Sequence, residues 1–345
     1  MFSTCMLHPA TMKSIAQQLG VTVSTVSRAL QDHPRIGLRT RERVHELAEQ
    51  WGYVPNSTAI NLKRKRTFNI GVVLPFLTEQ FFSMAISGIE DVAIGEGYSV
   101  LLMQSRNDYE RERIAISTFI KHGVDGIIVS LASETHNNDH FSTVNNHGLP
   151  IVFFDRVARN LPNSCVYADL TEVTTEAVDY LFRRGIDRIA LLNGPGTLQA
   201  TDERLTGYLT ALASRGVPVN QAYLKNLDLS RDNTIRAMNE LLELPEPPRA
   251  VLAFHDYIAL DAMQVCRERG LVINQDIFFV SYSNLSFCAY LEQPPIASIE
   301  QFPYEMGRKA AEFVIATISD PAATERQINV IRPALTIRPE WRIDQ

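Results

Sequence analysis

From Phe68 onward, seven short apolar runs recur: NIGVVLP, YSVLLMQ, VDGIIVSL, PIVFFD, RIALLNG, RAVLAFHD and IFFVSYS, with amphipathic helical patterns between them. Strands that are apolar along their whole length, rather than at alternate positions, belong to parallel sheets covered by helices on both faces. The runs fall into two series divided near Ala168, which predicts two similar subdomains facing a cleft, with ligands expected at the carboxyl ends of the strands. At 345 residues and 45% hydrophobic, the chain has enough apolar material for two or three domains.

The first 66 residues are different in kind. They carry ten Lys and Arg against four Asp and Glu, a surplus of +6, which leaves −12 on the remainder of a chain whose net charge is −6. A basic head on an acidic body concentrates attraction for a polyanion at one end, although a solvated helical surface has the same charge. Met12, Ile15, Ala16 and Leu19 are spaced for one helix, which Gly20 ends. Thr22 is placed to cap a second helix with Val23, Val26 and Leu30 as its apolar stripe, and Val44, Leu47, Ala48 and Trp51 mark a third. A small residue at Ala16, a turn glycine at Gly20 and an apolar anchor at Val26 form a helix-turn-helix signature; alone it would also fit an ordinary helical hairpin.

The segments SIAQQLGVTVSTVSRAL and TRERVHELAEQWGYVPN resemble the lactose-repressor (LacI/GalR) family. The resemblance extends from Thr11 to Trp341 and implies that Val23, Ser24 and Arg28 read bases, while Thr25, Ser27 and Thr40, together with Asn56, hold phosphates. Ser24 and Arg28 share a helix face at i and i+4, and arginine grips guanine bidentately, so the physical reading agrees. After Pro55, residues 56–63 form a helix-capable segment too short to be stable in water alone. In the family this segment enters the minor groove and wedges a leucine between base steps; Ala59 and Leu62 match it, with Lys63 on the backbone. Read without the resemblance, Leu62 is a linker hydrophobe.

For the body, the resemblance implies a type I periplasmic-binding-protein fold whose chain crosses three times between subdomains. The fold class expected is therefore an all-α helix-turn-helix head plus an α/β core of two subdomains with parallel sheets. The expected divisions are 1–55 for the head, 56–67 for the hinge and 68–345 for the core. Within the core, 68–167 and 299–326 are assigned to one subdomain, 168–298 and 327–345 to the other. Phe81, Phe82, Asp155, Arg204, His255, Asp256, Ser283 and Gln301 align with positions that family members use on effector. Aromatic faces suit the apolar side of a sugar or base, and carboxylates with an arginine suit hydroxyls. Phe81 and Phe82 could instead be helix-start core, and Asp256 a helix cap. Ser283 stands where relatives often carry an aspartate, and Leu229 where they often carry a stacking aromatic, so no named effector transfers.

No phosphate-binding glycine loop, nucleophile elbow or paired metal-ligand histidines occur, so neither enzyme activity nor a cofactor or metal is expected. Cys5, Cys165, Cys266 and Cys288 are scattered, without disulfide or zinc spacing. No export signal or run of roughly 20 apolar residues is present, so a cytoplasmic protein with no membrane partner is expected. The expected partners are a pseudo-palindromic double-stranded DNA operator, a small effector, most readily a carbohydrate, and a second copy of the chain. With no terminal heptad segment, a homodimer rather than a tetramer is expected. The rival classes are a ligand-binding receptor with an ornamental head and a DNA-acting or sugar-processing enzyme.

Overall fold

The computed structural model describes residues 11–53, 66–158, 160–320 and 325–341. The chain divides into two compact units, Met1–Arg66 and Thr67–Gln345. Asn56, Ala59, Leu62 and Lys63 lie outside the described residues.

The first unit holds α1 (Met12–Leu19), α2 (Val23–Ala29) and α3 (Leu38–Gln50). Thr11 and Ser14 form a reciprocal capping box at the start of α1, and Gly20 ends it in the left-handed region at φ 68°. Thr22 caps α2 by accepting from the Thr25 N–H at 3.1 Å. Ile15, Ala16, Val26, Ala29, Val44 and Ala48 form the core that the three helices enclose. Trp51 is not part of it: the ring is 39% exposed, at the end of α3 rather than on its buried stripe.

The second unit follows the β/α alternation. Its first part contains β1 (Asn69–Leu74), α4 (Gln80–Gly95), β2 (Ser99–Gln104), α5 (Tyr109–His122), β3 (Gly126–Val129), α6 (Asp139–Asn146), β4 (Ile151–Phe154) and β5 (Ser164–Ala168). Its second contains α7 (Thr171–Arg183), β6 (Ile189–Asn193), α8 (Gln199–Ser214), β7 (Leu224–Asn226), α9 (Arg231–Leu242), β8 (Ala250–Ala253), α10 (Asp256–Glu268), β9 (Phe278–Tyr282) and β10 (Ala297–Glu300). The chain then returns through α11 (Pro303–Ser319) and finishes with β11 (Ile328–Ile331) and β12 (Ala334–Ile337).

Two six-stranded sheets result, ordered β11-β5-β4-β3-β1-β2 and β12-β10-β9-β8-β6-β7. Every pairing is parallel except β10 with β12. The chain passes between sheets after β5, after β10 and after β11, giving three crossings. The last falls later than the division expected at 326/327: β11 pairs with β5, so Ile328–Ile331 belongs to the first sheet and only β12 completes the second. A four-residue apolar run beside an edge carries no mark of which sheet it joins, which is why the sequence placed it wrongly.

Helix α11 packs against α4 and the first sheet. The two helices meet at glycines: a Cβ on Gly88 would stand 2.1 Å from the Tyr304 carbonyl oxygen, and one on Gly307 would stand 2.0 Å from that of Ala85. Only hydrogen at these positions permits the approach.

Candidate functional site

In the head, burying Val26 and Ala29 leaves the opposite side of α2 to solvent. Ser24 and Arg28 are exposed and Val23 is 43% exposed, so Val23 does not join the buried stripe with Val26. Thr25 and Ser27 are half-buried on the same helix, and Thr40 is half-buried in the first turn of α3. The Ser24 and Thr25 hydroxyls both lie 2.8 Å from that of Thr22, tying them to the cap. The N-terminal turn of α2 thus presents hydroxyls and a valine methyl face, with Arg28 one turn further on. This is the chemistry of a helix that enters a major groove.

In the body, the carboxyl ends of β1, β4, β6, β8, β9 and β10 open on one cleft, whose empty volume is about 520 Å³ counting its open mouth. Seven of the eight expected effector residues line it: Phe81, Phe82 and Asp155 from the first subdomain, Arg204, His255 and Ser283 from the second, and Gln301 at the second crossing. Phe81 and Phe82 pack edge to face at 5.3 Å and are nearly buried, so they serve both the core and the cleft wall.

Asp256 is the exception. It is wholly buried, and its carboxylate accepts hydrogen bonds from the Ser281 hydroxyl, the Ser298 hydroxyl at 3.3 Å and the Leu285 N–H at 2.6 Å. The first position of α10 faces into the subdomain, so the expected ligand contact is instead a brace behind the cleft. It holds the turn carrying Ser283 (φ 88°) and Asn284 (φ 48°), a left-handed backbone that needs external support. Leu229, also in the left-handed region, packs on the core of the second subdomain and is not among the residues that line the cleft.

Arg204 dominates the second wall. It is 3% exposed, its guanidinium lies 4.0 Å from the Phe254 ring centre and 4.2 Å from that of Tyr282, and Nη2 donates to the Phe254 carbonyl at 3.2 Å. Nε and Nη1 are buried with no hydrogen-bond partner. Burial pushes the guanidinium's pKa below its ordinary value, opposed by the Tyr282 and Asp155 fields. A buried guanidinium with two unused donors, at the wall of a cleft, calls for acceptors from a ligand.

Beside it, His255 caps α10: Nδ1 accepts from the Ile258 N–H at 3.2 Å, which places the ring proton on Nε2. Burial, then the Arg204 and Arg156 charges, push its pKa down to about 3, so it is a neutral donor. On the first wall, Asp155 (φ 58°) lies 3.4 Å from the Ser130 hydroxyl and 3.9 Å from Arg156 Nε. Burial raises its pKa against the pull of Arg156 and Arg204.

Sequence reasoning missed Glu79, Arg156, Leu198, Phe254, Tyr257 and Leu285, which also line the cleft. Arg156 and Phe254 each adjoin a predicted residue at a strand end, so the strand-end rule could have reached them; nothing marked Glu79. Two hydrogen bonds span the cleft, Gln80 Nε2 to Ser286 Oγ and Thr197 Oγ1 to the Ser133 carbonyl. No group of His, Cys, Asp and Glu among the described residues could hold a metal ion.

A helix-turn-helix unit followed by a two-subdomain, periplasmic-binding-protein-like body defines the class of DNA-binding transcriptional regulators governed by a small molecule. Comparison with known proteins agrees. The model of bacterial regulatory proteins of the lacI family matches residues 11–56, and that of periplasmic binding proteins and the sugar binding domain of the LacI family matches residues 67–337. The chain belongs to the LacI family. It is 33% identical over 301 residues to the HTH-type transcriptional repressor CytR of Escherichia coli strain K12, covering 87% of each chain. The transcriptional regulator CelR–cellobiose complex superimposes with TM-score 0.71 at 27% identity, over 95% of this chain and 99% of that one. The lac repressor dimer bound to operator and the anti-inducer ONPF shares the fold, with TM-score 0.84 at 24% identity over 96% and 98%.

Proposed function

We propose that the chain is a cytoplasmic, homodimeric repressor whose grip on a pseudo-palindromic operator is set by a small, hydroxyl-rich effector, most readily a sugar, held in the cleft. The observation that carries the effector reading is Arg204, fixed between two aromatic rings with two buried donors unused. Ser283, Gln301 and neutral His255 add groups suited to hydroxyls, and Phe81 and Tyr257 add apolar faces for a ring. The CelR–cellobiose complex and the sugar-binding description of the matching family model support a carbohydrate.

In the head, Val23, Ser24 and Arg28 are assigned to bases and Thr25, Ser27 and Thr40 to phosphates; Asn56, Ala59, Leu62 and Lys63 keep the roles that the resemblance gives them. The homodimer reading is supported by an apolar surface in the first subdomain. The edge strand β2 leaves Leu101 and Leu102 exposed, and α4, packed beside it, leaves Met84 and Ile94 exposed. A mobility-shift assay on the promoter nearest the gene tests the reading, with neutral sugars, nucleosides and their phosphates added in turn. A retarded band that neutral sugars alter supports it. A band indifferent to every sugar, but altered by a nucleoside or a phosphate, removes the carbohydrate assignment and leaves DNA binding intact.

A further inference from the structure

Glu112 carries a carboxyl group that is wholly buried, yet it does not line the cleft. From the first turn of α5 it collects three donors from the segment that joins β3 to α6. Oε2 accepts from the Ala132 N–H at 2.6 Å, and Oε1 accepts from the Thr135 hydroxyl at 2.8 Å and from His140 Nε2 at 2.9 Å. A carboxylate only accepts, so Nε2 carries a proton, and the buried Nδ1 has no partner among the described residues. Burying a charge is costly unless donors surround it, and here two of the three donors belong to one short turn.

Ala132 and Thr135 are the ends of that turn, which the Thr135 N–H closes on the Ala132 carbonyl at 3.1 Å. Ser133 and Glu134 are its middle residues. The peptide between them is the part of such a turn that rotates from one turn type to another while the ends stay in place. Here its N–H donates to the Asn107 carbonyl at 3.2 Å, and its oxygen, that of Ser133, accepts from the Thr197 hydroxyl of the second subdomain. Asn107 Oδ1 accepts from the Ser133 N–H at 3.3 Å and from Nη1 of the cleft-lining Arg156 at 2.6 Å. The first subdomain thus holds the turn by its ends through Glu112 and by its middle through Asn107, and the second binds the carbonyl so aimed. A hydrogen bond contributes most when its acceptor is already oriented, because no turn then has to be ordered as the cleft closes.

We propose that Glu112 is a positioning residue for closure of the cleft: by clamping both ends of the Ala132–Thr135 turn it presents the Ser133 carbonyl to Thr197, and so sets the balance between open and closed cleft from outside the cavity. This concerns the chain without ligand and does not depend on which effector the cleft takes. A brace that only stabilised the first subdomain would leave that balance unchanged.

Access to the cleft of the ligand-free full chain tests this. Ser283→Cys places a thiol in the cavity wall, and the rate at which iodoacetamide alkylates it is read peptide by peptide by mass spectrometry. The reference chain is compared with the same chain carrying Glu112→Gln, Thr135→Val or Thr197→Val, and carrying Thr197→Val together with each of the first two. Circular dichroism verifies that each is folded. The buried Cys165, which shares a core cluster with Ala115 and Ile116 of α5, reports loosening of the first subdomain in the same digest. Glu112→Gln and Thr197→Val should each speed alkylation at position 283 about threefold or more, the effect of losing one net hydrogen bond. The pair should be no faster than Thr197→Val alone, Thr135→Val should act in the same direction but less, and Cys165 should stay within about twofold of the reference. If Glu112→Gln or Thr197→Val leaves the rate unchanged, if their effects multiply in the pair, or if Cys165 accelerates in step, the positioning role is overturned and Glu112 is a brace of the first subdomain alone. Should Glu112→Gln fail to fold, Thr135→Val decides: a rate equal to the reference, or a gain that persists beside Thr197→Val, overturns the role. None of these outcomes bears on the effector reading, which fails or stands on its own assay.

Discussion

Asp256, buried behind the cleft, and Arg204, in its wall, carry their charge differently. Asp256 is surrounded by donors, so removing it strands the Leu285 N–H in the core and leaves the Ser281 and Ser298 hydroxyls only each other and the Asn284 N–H as partners. Asp256→Ala should therefore cost about 3 kcal/mol in urea denaturation; a change within experimental error would show that the brace is dispensable. His255 sets a pH dependence with a definite sign. Its folded pKa is about 3 and its ordinary value is 6.5, so its contribution is complete above pH 6.5 and is lost progressively as pH falls toward 3. The loss is at most about 1.4 kcal/mol per pH unit. The raised pKa values of Asp155 and Glu79 act oppositely, favouring the fold at low pH and less as pH rises. Against wild type, the variant His255→Gln isolates this contribution: the variant should lose less stability than wild type between about pH 7.5 and pH 5, and parallel curves would contradict the buried neutral ring. In the head, Arg28→Ala should cost about 1–3 kcal/mol on operator with little change on random DNA. Equal losses on both would move Arg28 from base to backbone.

Among the elements, what the sequence made legible is what depends on local pattern. The cap at Thr22, the left-handed end at Gly20 and the seven strand-like runs all sit where spacing and turn chemistry place them. The order of strands across each sheet, the return of α11 to the first sheet and the antiparallel β12 depend on contacts distant in sequence, and no local signal encodes them. The same division runs through the cleft. The family resemblance, on strands whose ends were expected to hold ligand, pointed to Asp155, Arg204, His255, Ser283 and Gln301, but neither it nor spacing could say that Asp256, one residue past His255, turns inward. The α4–α11 contact gives the sharpest element-level prediction. Gly307→Ala, whose Cβ would meet the Ala85 carbonyl oxygen at 2.0 Å, should cost about 3 kcal/mol or more, whereas Gly95→Ala, with open space around it, should be neutral or stabilising. A thermal melt that ranks the two equally would mean that the helices can separate without cost.

For the whole molecule, a cleft whose walls already share hydrogen bonds through Gln80–Ser286 and Thr197–Ser133 has a closed arrangement for a ligand to stabilise. A ligand shifts such an equilibrium only by its differential affinity for the two arrangements, and couplings of this kind are typically about 5- to 150-fold. Coupling between cleft and head is read most directly from operator affinity, measured by fluorescence anisotropy with and without saturating effector, on wild type and on Arg204→Met. Wild type should show a shift within that range, in either direction, and Arg204→Met none. An equal shift in Arg204→Met, or none in wild type with any ligand that calorimetry shows to bind, would contradict control of operator binding through Arg204 and the cleft.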